Sequence, residues 1–226
     1  MMSMTPIVTI TAQLPQTLLA VSGGLSLLVL LIAARQVNWS VFSHHLAAQH
    51  LFLGSVVAVS VFWYMRAGVL PGMYFHILGY TSLMLMMGWP LALMAASLAQ
   101  CLMVISGKTT WIEAGYQYFF YSVLPVLFSY GFYLFVYRRL THNPFVYILV
   151  AGFLNAGFTH AFTDVIRSFM MWQLDIHPFS LIWHDYLRYL PLMMFPEGVV
   201  NGMFVTGMVV FHSRWLSTFD EDSYFA

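Results

Sequence analysis

The sequence predicts an all-α, polytopic integral membrane protein: one transmembrane permease domain over residues 1–226, a helix bundle of about seven spans. Composition carries half of that reading. Hydrophobic residues make up 61% of the chain and charged residues only 7%, with a mean hydropathy of +0.79. A soluble domain carries about 25% charged residues. The distribution carries the other half, because the apolar residues gather in runs near the ~20 needed to cross a bilayer as helix. These runs are too long for strands and show no sustained apolar/polar alternation, which argues against a barrel.

Each run is bounded by charge or by Gly and Pro. Thr17 to Ala34 forms the first, closed by Arg35, and Ala47 to Met65 the second, closed by Arg66. Met73 to Gly88 reads as a short third span. Trp89-Pro90 reads as a tight turn, with Pro90 at the first position of a fourth span over Leu91 to Ile105. Tyr116 to Tyr137 is the fifth, with Pro125 as a kink and Arg138-Arg139 as its end. Phe145 to Trp172 holds the sixth, with Asp164 and Arg167 towards its end. Tyr189 to Phe211 holds the seventh, interrupted by Pro191 and Pro196. Six spans are the alternative, should the second and third form a re-entrant pair. The polar-leaning connection from Gln173 to Arg188 is expected along the membrane interface. No internal repeat or domain boundary is visible.

Charge excludes several functions. Eight Lys and Arg balance eight Asp and Glu, so no basic field exists to attract nucleic acid. The single Cys101 rules out an intrachain disulfide and a CxxC metal knuckle, and reads as a small buried apolar residue. Met1 to Gln16 has no Lys or Arg, so it lacks the basic start of a cleaved secretory signal. The expected setting is a bacterial inner membrane, with the lipid bilayer as the first partner. The Arg138-Arg139 pair favours an outside N-terminus and a cytoplasmic C-terminus.

Nine histidines are many for so apolar a chain. His44, His45, His142, His177 and His212 fall in loops or at span ends and read as interface residues. Four ionisable positions lie deeper: His50, His76, His160 and Glu197. Such residues are costly inside a bilayer and mark functional sites by default. His76 sits at the mouth of the third span, within a Gly- and Pro-rich entry. His160 and Asp164 are four apart on one helix face. Two structural readings stand beside the functional one. His160 and Asp164 simply pair, or Glu197 caps a broken helix or bonds Asn201. Gly198 and Gly202, also four apart, read as a close helix contact. The abundant methionines read as apolar filler rather than a Cu(I) pathway.

Phe75-His76-Ile77-Leu78-Gly79, followed by Met87-Gly88-Trp89-Pro90, resembles the Gly-His-Leu-Leu-Gly … Leu-Gly-Pro-Trp pattern of the CbiM/NikM family. These are the membrane substrate-binding components of cobalt and nickel uptake systems of the energy-coupling-factor type. Gly107-Lys108-Thr109-Thr110-Trp111 with Gly115, and Glu197-Gly198, are similar to two further family motifs. The resemblance spans about Leu51 to His212. It implies a non-enzymatic permease component with no built-in cofactor, whose substrate is a transition metal ion, Ni or Co. It also implies partner ATPase and transmembrane coupling subunits; this chain has no P-loop. In the family an N-terminal Met-His and a later histidine hold the ion through four nitrogens, an arrangement suited to Ni(II) and, in a related site, Co(II). The later histidine matches His76. Position 2 is Met2, and no histidine precedes His44.

Three outcomes follow from that departure: His50 or His160 completes a different site, the metal differs, or the substrate has changed and His76 is structural. The expected metal ligands are therefore His76, His50, His160 and Glu197. Two rival readings remain: a haem-binding redox subunit using His50 and His160, and an assembly partner with no ligand.

Overall fold

The computed structural model describes residues 13–225; Met2 lies outside them. The described residues are almost wholly helical, and six segments are long and apolar enough to cross a membrane. They are α1 (Gln16–Gln36), α2 (Leu46–Tyr64), α3 (Tyr80–Ile105), α4 (Trp111–Arg139), α5 (Pro144–Gln173) and α6 (Leu190–Phe211), the last preceded by a short helix over Phe179–Asp185. Leucines and phenylalanines such as Leu28, Leu31, Phe135 and Phe158 stay exposed on the outer faces, as lipid contact requires.

The count is six among the described residues rather than seven, because the predicted third and fourth spans are two halves of α3. Gly88 breaks the helix with φ 76° and ψ 162°, backbone angles open essentially to glycine. Trp89-Pro90 therefore makes a kink, not a turn. Pro90 has no N–H to give the carbonyl four residues earlier, that of Met86. The chain after α6 supplies the missing donors: Ser217 N–H donates to Met86 O at 2.9 Å, and the Thr218 hydroxyl donates to Leu85 O at 2.7 Å.

The same rule operates in α4. A π-helical turn over Phe119–Val123 precedes Pro125, and Pro125 orphans the carbonyl of Tyr121. The Tyr80 hydroxyl, from the start of α3, donates to that carbonyl. Thr110 starts α4 by accepting the Glu113 N–H. α1 lies against α4 so closely that a Cβ on Gly115 would fall 2.8 Å from the Cα of Gly23, and Ser26 Oγ donates to Gly115 O at 2.8 Å across that contact. The Gly198/Gly202 spacing likewise brings α6 onto α5, both glycines facing Phe153.

Two further expectations change. Met73 to Phe75 is not helix. It is strand β2, paired antiparallel with β1 (Ala67–Leu70) through a turn at Pro71-Gly72. Gly72 there has φ 78°. Cys101 faces outward and is exposed, not buried as the sequence suggested.

Candidate functional site

His76 sits in neither strand nor helix. It lies in the extended segment from His76 to Gly79 that joins β2 to α3. Each end of this segment is fixed by a different helix. On the far side, Glu197 of α6 accepts the N–H groups of Leu78 (2.7 Å, Oε2) and Gly79 (2.9 Å, Oε1). Asn201, one turn further on, accepts the Ser82 N–H at 3.0 Å. Two α6 side chains thus do the work that a local N-cap does elsewhere, satisfying the first free donors of α3. Gly79 enters the helix from the left-handed region, φ 72°.

On the near side, Arg167 of α5 donates to the carbonyl of Tyr74 at 2.6 Å. Arg167 also donates to the Tyr186 hydroxyl at 3.0 Å, and that hydroxyl donates to Asp164 at 2.7 Å. His177 bonds the carbonyl of Pro71 at 2.8 Å and ties down the turn of the ribbon.

His160 completes the framework. Its Nε2 is 3.2 Å from Asp164 Oδ2 and its Nδ1 is 3.5 Å from Glu197 Oε2. All three side chains are buried. His160 therefore bridges the two carboxylates that reach the ends of the His76 segment. His160 pairs with Asp164 and Glu197 bonds Asn201 (2.8 Å), as the spacing allows; the helix that Glu197 caps is α3 and not its own, which runs on through Pro196. A buried ionic network of this kind is costly to desolvate. What it provides is a fixed backbone for residues 74–79.

Held this way, the His76 ring lines a polar cavity of about 50 Å³ enclosed by α2, the ribbon, α3, α4 and α5. Its Nδ1 is buried with no hydrogen-bond partner, and its edge meets the Trp63 ring at 6.4 Å between centroids. Burial pushes the His76 pKa well below the usual histidine range, and Arg167, His160 and Arg66 push it further the same way, against a weaker opposing contribution from the Tyr74 backbone. The ring is thus the neutral imidazole, the form that ligates metals. Arg66, Lys108, Glu113 and Arg167 share the cavity wall.

His50 lies elsewhere. It is exposed on α2 and borders a shallow surface groove with Phe204 and Trp215. Trp63, the α2 residue that meets His76, is 13 positions along from His50 (63 − 50), about 20 Å at 1.5 Å per residue. Of the four expected ligands, only His76 lines the cavity; His160 and Glu197 pair behind it, and His50 lies apart, so the His50–His160 pair needed for a haem is not assembled. The cavity residues Arg66, Lys108, Glu113 and Arg167 were not among the expected ligands. Four ionisable residues in so poorly charged a chain were the signal that could have marked them.

Residues 11–215 match the family model CbiM, described as a cobalt uptake substrate-specific transmembrane region. Two solved structures share the fold. One is a truncated transition metal transporter, with a TM-score of 0.70, 18% identity, and coverage of 88% of this chain and 97% of that one. The other is a transition metal transporter, with a TM-score of 0.64, 18% identity, and coverage of 89% and 90%. No curated protein sequence matches.

Proposed function

Because the chain belongs to the CbiM family of cobalt-uptake transmembrane components, we propose that it binds its transition metal, cobalt or nickel, in the cavity beside His76. The observation that carries this reading is a neutral imidazole that lines a polar cavity inside an apolar bundle and whose Nδ1 is buried without a hydrogen-bond partner. Leaving such a nitrogen unbonded costs on the order of 1–3 kcal/mol, a cost that a metal bond would offset.

In this reading His76 is the direct ligand. His160 and Glu197 act behind it, fixing the segment that carries it. Outer partners of this kind are expected to be worth 10–100-fold in metal affinity. The protein contributes binding and passage, not chemistry, and works in the bacterial inner membrane with its N-terminus outside and its C-terminus cytoplasmic. Energy comes from ATPase and coupling subunits of the energy-coupling-factor type.

Equilibrium dialysis of the purified protein against nickel, cobalt, copper and zinc tests the proposal, with His76→Ala and His50→Ala alongside. Binding of nickel or cobalt that His76→Ala abolishes and His50→Ala leaves intact is the expected result. A protein that binds none of the four metals, or binds them unchanged in His76→Ala, overturns it.

A further inference from the structure

The cavity beside His76 has a charge pattern ill suited to a bare divalent cation. Three permanent cations line it, Arg66, Lys108 and Arg167, against one carboxylate, Glu113. The other two buried acids, Asp164 and Glu197, do not line it; they are engaged by His160, Tyr186 and the start of α3, and Asp164 also partly offsets Arg167, 3.8 Å away. The cations are held in place. The Arg66 guanidinium lies 4.2 Å over the Tyr74 ring and donates to the Lys108 carbonyl. The Lys108 ammonium lies 4.3 Å over the Tyr64 ring. Arg167 is 3% exposed, and its Nε has no partner.

Ligands for a metal are scarce as well. No group of three or more His, Cys, Asp or Glu that could hold an ion occurs among the described residues. The side chains of residues 1–12 include no ionisable group. A metal at His76 thus meets few anionic donors from the protein and gains from donors and negative charge brought with it. The cavity, about 50 Å³, has room for roughly three or four waters on that scale, the size of a four-atom oxyanion. Guanidinium groups match carboxylate and carbonate geometry through paired N–H donors.

Resting on the reading of His76 as a metal ligand, we infer that the cavity takes the metal together with a small carboxylate- or carbonate-type anion. His76 ligates the ion, the anion supplies oxygen donors to it, and Arg66, Lys108 and Arg167 bind the anion. The site thus selects a metal–anion pair rather than a free cation.

Calorimetric titration of the full-length protein in detergent with nickel perchlorate, with and without sodium acetate at constant ionic strength, tests this. Acetate in solution weakly competes for nickel, so a gain in affinity reports the protein. Wild type is expected to bind nickel at least tenfold tighter with acetate, and Lys108→Gln and Arg66→Gln to lose most of that gain. Nickel affinity in wild type that ignores acetate overturns the inference and leaves the metal reading standing. A gain retained in full by both variants overturns the assignment of the anion to these cations. Absence of nickel binding in both conditions overturns the metal reading and the inference with it.

Discussion

Glu197 and Leu78 are 119 residues apart in the chain, yet a carboxylate oxygen of one accepts the backbone N–H of the other at 2.7 Å. This bond, with its companion to Gly79, ties the last membrane-crossing helix to the segment following His76. The Glu197 carboxylate is thus a support for the segment that carries His76, separate from His76 itself.

Removing the support and removing the ligand should therefore look different. Glu197→Ala leaves the N–H groups of Leu78 and Gly79 without their acceptor and removes one of the two carboxylates beside His160, and is expected to destabilise the protein by about 3–5 kcal/mol as well as weaken metal binding. His76→Ala is expected to abolish metal binding with little change in unfolding temperature. Thermal unfolding beside a metal titration reads both. Equal melting of the two variants would contradict the distinction.

Thr218 closes the break in α3. Its hydroxyl donates to Leu85 O and also contacts the Tyr147 hydroxyl at 2.7 Å. Thr218→Val keeps the shape and leaves a buried carbonyl unpaired, so a loss of about 1–3 kcal/mol is expected. Ser217 donates through its backbone, so Ser217→Ala should cost far less. Denaturant unfolding of the two variants measures the difference.

Gly88 is required by its backbone angles, and Gly115 by space. Gly88→Ala forces a side chain into a region open essentially to glycine, at a cost on the order of 1–3 kcal/mol. Gly115→Leu must push α1 off α4, since even a Cβ there meets the Gly23 backbone. Gly207 has open space around it and ordinary helical angles, so Gly207→Ala is expected to be neutral or slightly stabilising. Thermal stability of the three variants in detergent tests this order.

The membrane bundle was legible because bilayer thickness and backbone hydrogen bonding leave few alternatives to long apolar helices. The Gly88-Trp89-Pro90 break misled the count. Gly and Pro signal an interruption, but whether the chain reverses or continues depends on who satisfies Met86 O and Leu85 O. Those donors come from Ser217 and Thr218, more than 100 residues away. The His160–Asp164 pair was legible from its spacing, since i and i+4 share a helix face. The bond of Glu197 to Asn201 was legible in the same way, but the carboxylate's other two hydrogen-bond partners were not, because they are backbone N–H groups, which carry no sequence signature. Arg66 and Lys108 read as span ends, and Arg167 as part of the charged end of its helix. Their convergence on one cavity is set by helix packing and the β1–β2 ribbon, which pattern alone does not place.

Direct ligation of the metal by His76 leaves a spectroscopic mark. X-ray absorption at the metal edge of nickel- or cobalt-loaded protein tests it most directly, because a coordinated imidazole gives a distinct outer-shell scattering pattern. That pattern is expected in wild type and in His50→Ala, and its loss in His76→Ala loaded at high metal concentration. An imidazole signature unchanged in His76→Ala, or a wild-type site with no imidazole at all, would contradict it.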